Sequence, residues 1–440
     1  MLILFTPEKA ISQNRRAIKA STIENKIDAS SSTYRISLLT CSAGEEIYAY
    51  FGHTAIRVEN FSTKEDYVYN YGQFNMDQPH FIWHFTLGQT DYQMGKETFN
   101  HFARIYTYIN RTVYAQVLNL NDTEAKTLVE NLNNNYKPQN RNYIYNYFYD
   151  NCSTRPFFVI KNSIEGTLHF SKKYQPKSWR EEINKYTSHA SWGNFGMNLL
   201  LGAPTDKEMS EIEQLFLPIN LEQTLQSSEV KSKDGNTKPL ILQRCQIIQR
   251  DEERAVKDRK ESTPPISATT ASILFLILTL LITFIDYKRK KISIWFDTTL
   301  YIIFGLIGFI LIFMGLFSSH PCLNPNYEIL LFNPLFLIGI GSLVRLSKPK
   351  REQRYISKSL LVSQTKLKGK IDQAIYLIIS LCLIYFTITC ILQLSLNMVT
   401  IQYFPPASLA LALCLLVRLL FIKKWTRNNR QRQKSFFTER

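Results

Sequence analysis

The sequence predicts an α+β domain held outside a membrane, followed by an all-α bundle of five transmembrane helices. Residues 1–267 are mixed and aromatic-rich, with short strand-like and helix-like segments, whereas most of 268–422 falls into long apolar runs, a split that the mean hydropathy of −0.15 conceals. The basic excess, 52 Lys and Arg against 36 Asp and Glu, collects between and after those runs. A single cysteine, Cys152, stands between the aromatic run Tyr143 to Tyr149 and a helix predicted to start near Ser153.

The outer domain is expected over 33–248. Before it, Met1 to Phe5 is apolar, but Pro7 and the charges that follow leave no signal-peptide core of roughly 7–15 residues. Residues 1–32 are therefore expected as a disordered or residual signal segment, which conflicts with an exported domain. Thr33 to Thr40 alternates Tyr34, Ile36 and Leu38 on one side and reads as a strand. His53 to Val58 and Asp66 to Tyr71 are two further strands joined by a polar turn over Asn60 to Lys64. His53 thus stands at a strand end beside Gly52, and Asn70 on the neighbouring strand is placed to orient its imidazole. Gln78 to Leu87 and Lys96 to Tyr108 are helix-like, and Val113 to Leu120 returns to strand alternation. Asn121-Asp122 caps a helix to about Asn133, with Leu128, Val129 and Leu132 inward. Pro156 confines the next helix start, and Ser153 as its N-cap leaves Cys152 immediately before the helix. Trp192 to Pro204 is a glycine-containing apolar stretch, read as aromatic packing with a lipid-facing loop as the alternative. Thr205 to Glu208 is a capping-box pattern opening a helix to about Phe216, and Pro239 to Ile248 resembles a strand. Residues 249–265 form a charge run ending in Pro264-Pro265, and 249–267 is expected as a solvated linker.

Five spans are expected near 268–285, 298–317, 329–344, 374–393 and 405–422; the third is short and carries Pro334. The segments after spans one, three and five hold four, nine and seven Lys or Arg, while 318–328 and 394–404 hold none. The positive-inside rule then places residues 1–267 outside and the tail 423–440 in the cytoplasm. Arg418, near the inner end of span five, is expected to snorkel to the interface. Residues 1–268 hold 31 basic and 30 acidic side chains, so the outer domain is nearly neutral, and no nucleic-acid partner is expected.

A thiol at a helix N-terminus is favoured as thiolate by the macrodipole and free N–H groups, and becomes an acyl-transfer nucleophile when a base stands beside it. Cys152 with His53 would supply a papain-like pair. The bland alternatives are a buried structural thiol and a satisfied core histidine. The seven cysteines contain no C-x-x-C pair. A Cys41–Cys152 or Cys152–Cys245 disulfide is a further alternative, and Cys382, Cys390 and Cys414 read as small hydrophobes. His80 and His84 are spaced i,i+4 without a third ligand nearby, so no metal site is expected.

Several runs resemble a known family: Leu38-Leu39-Thr40-Cys41-Ser42-Ala43-Gly44-Glu45-Glu46, Phe51-Gly52-His53-Thr54-Ala55-Ile56-Arg57-Val58, Val68-Tyr69-Asn70-Tyr71-Gly72-Gln73-Phe74, Phe148-Tyr149-Asp150-Asn151-Cys152-Ser153-Thr154-Arg155 and Leu200-Leu201-Gly202-Ala203-Pro204. Together with Phe317-Ser318-Ser319-His320-Pro321 and Asn333-Pro334, they are similar to Lnb, the lipoprotein N-acyltransferase family of Bacteroides-type bacteria, over about residues 34–345. The His-before-Cys order also resembles circularly permuted relatives of NlpC-like peptidases, such as lecithin:retinol acyltransferases. The resemblance implies a papain-like, permuted NlpC-like outer domain at the inner membrane, facing the periplasm. It implies transfer of a fatty acyl chain from a phospholipid to the α-amine of a diacylglyceryl-cysteine lipoprotein, without a cofactor. Cys152 would carry the acyl group as a thioester, His53 would be the base and Asn70 its orienting partner. Backbone N–H groups around Cys152 and Ser153 would form the oxyanion hole, with Asp150 and Asn151 in support. Arg155 is a candidate for lipid phosphate, or else a surface ion pair. His320, beside Pro321, Asn324, Asn326 and Glu328, is a headgroup candidate or part of an ordinary interfacial loop. Competing functions are an NlpC-like thiol peptidase acting on cell-wall peptides and a non-catalytic membrane sensor. Against the family pattern, no signal peptide is recognisable in the first 30 residues, so the expectation is that the true start lies upstream or that the signal is degenerate, and Pro156 follows the Cys152 motif directly.

Overall fold

A computed structural model describes residues 33–74, 79–171, 174–347, 358–396 and 399–438; the segment 1–32 lies outside the described residues. The chain divides into two units. The first comprises residues up to Thr187, Glu208–Thr263 and Ser319–Pro321; the second comprises Ser188–Lys207, Pro264–Ser318 and the chain from Cys322 onward. Residues 188–207, expected within the outer domain, thus cluster with the second unit.

In chain order the elements begin with β1 (Tyr34–Cys41), β2 (His53–Asn60), β3 (Glu65–Gln73), α1 (Phe81–Thr86), β4 (Asp91–Thr98), α2 (Phe99–Tyr108) and β5 (Val113–Leu118). Next come α3 (Asp122–Tyr136), β6 (Asn142–Ile144), α4 (Thr154–Lys161), β7 (Thr167–Phe170), α5 (Trp179–Thr187), α6 (Ser191–Leu200) and α7 (Pro218–Gln226). After β8 (Ser228–Lys231), β9 (Thr237–Pro239), β10 (Ile241–Ile248) and α8 (Glu252–Ser262), the remaining helices are α9 (Ala268–Arg289), α10 (Ile294–Phe317), α11 (Leu335–Ser347), α12 (Lys358–Leu396) and α13 (Pro406–Thr438).

The first unit is built on a seven-stranded sheet, order β10-β5-β1-β2-β3-β4-β6, with every neighbouring pair antiparallel. Its central strands are apolar on both faces because both are covered. Ile36, Leu38, Ile56, Val58, Tyr69 and Tyr71 pack with α3, α4 and α7 on one side. Leu39, Cys41, Ala55 and Val68 pack with α2 on the other. The α3 start carries a reciprocal cap: Asn121 Oδ1 accepts from the Glu124 N–H (2.8 Å), and Glu124 Oε2 accepts from the Asn121 N–H (2.9 Å).

Three expectations for the segments before the apolar helices need correction. The helix expected from Lys96 starts at Phe99, because Lys96 to Thr98 stay in β4 and the Thr98 hydroxyl accepts from the His101 N–H. The helix expected from Thr205 is two 3₁₀ turns, Ala203–Asp206 and Glu213–Phe216. The reciprocal cap forms later, between Ser210 and Glu213 (2.7 and 3.3 Å), and a regular helix begins only at Pro218. The expected linker 249–267 contains the exposed helix α8, capped by Asp251 (3.1 Å) and bearing the i,i+4 pairs Arg254–Asp258 and Lys257–Glu261.

In the second unit, four helices among the described residues are long and apolar enough to cross a membrane, not five: Ala268–Arg289, Ile294–Phe317, Lys370–Leu396 and Pro406–Asn428. The third expected span resolves into a 3₁₀ turn, Tyr327–Leu330, a break at Asn333-Pro334, and α11 of 13 residues. At 1.5 Å per residue α11 is about 20 Å long, short of a hydrocarbon core of about 30 Å. The stretch read as aromatic packing or a lipid-facing loop forms helix α6 over Ser191–Leu200; Trp192 Nε1 donates to the Ile266 carbonyl (2.8 Å). Arg418 does not snorkel. It is 1% exposed, donates to both oxygens of Asp297 (2.6 and 2.7 Å), to Asp286 Oδ2 (2.9 Å) and to the Thr283 hydroxyl (3.1 Å). Two carboxylates from α9 and α10 compensate the buried guanidinium, so it has no reason to reach for water.

Candidate active site

The site begins at the first residue of β2. Gly52 ahead of it has φ +82°, and a Cβ there would lie 2.5 Å from the Cys41 carbonyl oxygen, so only glycine admits this close turn. Register pairs His53 with Cys41 and Asn70 with Ala55, which puts His53 and Asn70 on one sheet face. His53 Nε2 lies 3.1 Å from Asn70 Oδ1. An amide oxygen only accepts, so in the neutral ring the proton sits on Nε2 and Nδ1 is left as the base. The Asn70 amide is held in that sense by its own Nδ2, which donates to Glu97 Oε1 (2.8 Å), and the other Glu97 oxygen pairs with His101 Nδ1.

Cys152 reaches the same strand end from the segment before α4. A short bridge between Asn146 and Asp150 (3.0 and 2.9 Å) turns the chain, and Asn146 Oδ1 accepts from the Phe148 and Tyr149 N–H groups (3.1 and 3.0 Å). Asn151 then fixes the helix entry. Its Oδ1 accepts from the Ser153 and Thr154 N–H groups (2.7 and 3.0 Å), and its Nδ2 donates to the Tyr147 and Phe216 carbonyls (2.8 and 3.0 Å). Ser153 was expected to cap α4 with its side chain; it makes no such bond, and its Oγ lies 3.2 Å from Thr54 Oγ1. Its N–H, expected at an oxyanion hole, is instead turned onto Asn151. Close approach of the segment depends on Gly72 (φ +87°), where a Cβ would meet the Tyr145 ring at 3.0 Å and Cys152 Cβ at 3.8 Å.

The thiol environment is strongly polarised. Desolvation pushes the Cys152 pKa up. The charge of the neighbouring His53, hydrogen bonds from His53 and the Thr54 N–H, and the Tyr145 hydroxyl 3.8 Å away pull it down, leaving it lowered from 9.0 to about 7. At Cys41, on the adjacent strand, burial outweighs the Arg111 charge and a hydrogen bond with Tyr106 and pushes the pKa up to about 12. Burial first, then the nearby Cys152, raise the Tyr145 hydroxyl well above its ordinary value, so it stays a donor. All seven cysteines are free, so neither Cys152 disulfide alternative is formed.

The other expected residues have nearer partners. Arg155 pairs with both oxygens of Asp150 (Nη2–Oδ2 2.7 Å) and lies 3.4 Å over the Tyr143 ring, which engages it as an ion pair. His320 belongs to the first unit: its Nε2 donates to the Phe85 carbonyl (2.6 Å), its ring packs between Phe85 and Tyr147 (both 5.4 Å), and burial lowers its pKa. Asn326 and Glu328 serve the second unit, at the Leu199 carbonyl (2.9 Å) and the Ser408 hydroxyl (2.9 Å). His80 and His84 gain no companions: among the described residues, no three His, Cys, Asp or Glu side chains are grouped to hold a metal. Glu97, Tyr145 and the Thr54 N–H were not anticipated. Glu97 was hidden by the helical assignment of 96–108, whereas strand alternation would have put it on the Asn70 face.

Residues 22–185 match the Lnb N-terminal periplasmic domain, and residues 258–363 match the Lnb transmembrane domain. No curated protein and no solved structure matches the chain. His53 and Cys152 both fall within the first match, the apolar helices Ala268–Arg289 and Ile294–Phe317 fall within the second, and the chain belongs to the Lnb family.

Proposed function

We propose that the protein is a membrane-bound lipoprotein N-acyltransferase with a papain-like, permuted NlpC-like site. The observation that carries this is the Cys152 thiol, poised near neutrality, against an imidazole whose free nitrogen is set by Asn70. Cys152 gives its proton to His53 Nδ1, and the thiolate attacks a phospholipid ester carbonyl. The C–S bond forms, the C–O bond breaks, and the lysophospholipid alkoxide leaves with the proton that His53 holds. The α-amine of a diacylglyceryl-cysteine lipoprotein then attacks the thioester; the C–N bond forms, the C–S bond breaks, and the amine proton returns through His53 to the thiolate. A thioester suits the second step because an amine attacks it faster than an ester, and exclusion of water favours aminolysis over hydrolysis. With the Ser153 N–H engaged, the Tyr145 hydroxyl is the better candidate for donating to the tetrahedral oxyanion. The membrane is the inner one, with residues 1–267 in the periplasm.

The test is to express Cys152→Ala and His53→Ala forms in a deletion strain and determine lipoprotein N-termini by mass spectrometry. Diacylated lipoproteins with free α-amines are expected in both. Triacylated lipoproteins in Cys152→Ala cells would falsify the proposal.

A further inference from the structure

A series of aromatic rings leads away from the thiol without belonging to either buried core of the first unit. Tyr145, whose hydroxyl stands 3.8 Å from Cys152 Sγ, stacks on Tyr92 with ring centroids 4.5 Å apart. Tyr92 meets Phe74 at 5.0 Å, Phe74 stacks on Phe81 at 5.8 Å, and Phe81 stacks on Phe85 at 6.0 Å. The first four rings are half-buried, so each keeps an uncovered edge or face. At the far end α1 turns apolar side chains to the outside: Ile82 is 80% exposed, Trp83 53% and Phe85 47%. A six-residue helix with three large apolar groups in water is costly unless something apolar covers it.

The surroundings of that end point to lipid. The Leu87 carbonyl after α1 accepts from the Ser319 N–H (2.8 Å), and the Phe85 carbonyl accepts from His320. Only Ser318 separates this segment from Phe317, the last residue of a helix long and apolar enough to span a membrane. The strip carries no charge along its five rings, its only side-chain polar atoms are the Tyr92 and Tyr145 hydroxyls toward the thiol end, and it ends at a nucleophile.

We infer that the Phe85-Phe81-Phe74-Tyr92-Tyr145 strip is the acyl-chain binding track, along which a fatty chain of the donor lies with its ester carbonyl at Cys152. This deepens the acyltransfer function proposed above and rests on it. The track would select for chain length, because each methylene laid on a ring leaves water, whereas an acetyl group touches only the Tyr145 end.

The full chain in nanodiscs decides this when offered dipalmitoyl phosphatidylethanolamine or, separately, p-nitrophenyl acetate. The rate of palmitoyl or acetyl addition at Cys152 is read by intact-mass spectrometry. Phe81→Ser is expected to lower the palmitoyl rate on the order of tenfold more than the acetyl rate. Phe81→Leu, which restores apolar bulk, should recover most of that ratio. An unaltered palmitoyl-to-acetyl ratio in both Phe81→Ser and Tyr92→Ser overturns the track while leaving the acyltransferase intact. Loss of both reactions together overturns it as well, since the rings would then be supporting the fold of the site. Wild-type protein that takes acetyl but no palmitoyl group would sink the phospholipid donor itself, and that is seen before any variant is compared.

Discussion

At Cys152 burial and polar contacts act in opposite directions on one proton. Desolvation alone would hold the sulfur neutral, as it does at Cys41, pushed up to about 12; the His53 charge, the Thr54 N–H and the Tyr145 hydroxyl outweigh it and leave Cys152 at about 7. A thiol whose pKa falls from 9.0 to about 7 is about half thiolate at neutral pH, where an unperturbed one is about 1% ionised. Alkylation of Cys152 by iodoacetamide should therefore rise through a midpoint near pH 7 in the full chain. In His53→Ala the first lowering cause is gone, so the midpoint should move upward, toward or beyond that of a free thiol. A wild-type midpoint near 9 would mean that the imidazole does not act on the sulfur. Cys152 and His53 were legible because each sits beside a local signal: a helix start after one and a glycine before the other. Asn70 followed from strand pairing alone. Glu97 and Tyr145 were not legible, since nothing in a helix-like run or in a run of five aromatic residues between Tyr143 and Tyr149 marks the one whose polar atom turns toward the site.

At the level of elements, the start of α4 shows how a capping rule can pick the wrong neighbour. Ser153 occupies the N-cap position, but its backbone is helical (φ −103°, ψ −45°) rather than extended, so its hydroxyl cannot reach back over the first turn. Asn151, two residues earlier, has the longer side chain and takes both N–H groups while tying the segment to the Tyr147 and Phe216 carbonyls. Asn151→Ala removes four hydrogen bonds and strands buried partners, a loss of about 2–4 kcal/mol; Ser153→Ala removes one hydroxyl contact, about 1 kcal/mol or less. Thermal unfolding of the full chain, followed by aromatic fluorescence, should show the larger drop in Asn151→Ala. The reverse order would return the cap to Ser153. The strands β1, β2, β3, β5 and β10 were readable from alternation or from β-branched and aromatic runs, and α3 from its capping box, because in these local preference and burial agree. The Thr205 to Glu208 pattern misled because Pro204 and the buried Thr205 side chain belong to a 3₁₀ turn, where the spacing of a capping box has no helix to serve.

For the molecule as a whole, the sequence carried the division into a mixed part and an apolar part because hydropathy is a bulk property that needs no register. It did not carry the inward fate of Arg418, since its partners Asp286 and Asp297 lie 132 and 121 residues away and meet it only in the folded helices. The open quantity is parity. Four crossings would leave both termini on one side, and five would separate them, so the chain from Tyr327 to Ser347 decides the topology. Its helix is short by about a third of the apolar thickness, yet no Lys or Arg occurs in 318–328 and nine occur in 345–372. Holding both segments outside would put those nine cations against the positive-inside bias, whereas a broken segment with its Asn333-Pro334 turn buried in protein crosses at lower cost. Asn333 Oδ1 already accepts from the Leu335 N–H (3.0 Å), and Asn333 is buried, so the break is satisfied from within. A dual reporter fused after Lys366 should read cytoplasm and one fused after Asn397 should read periplasm. A periplasmic signal at Lys366 would make α11 a re-entrant helix, return the C-terminus to the side of the first unit, and remove the charge argument that places Cys152 outside.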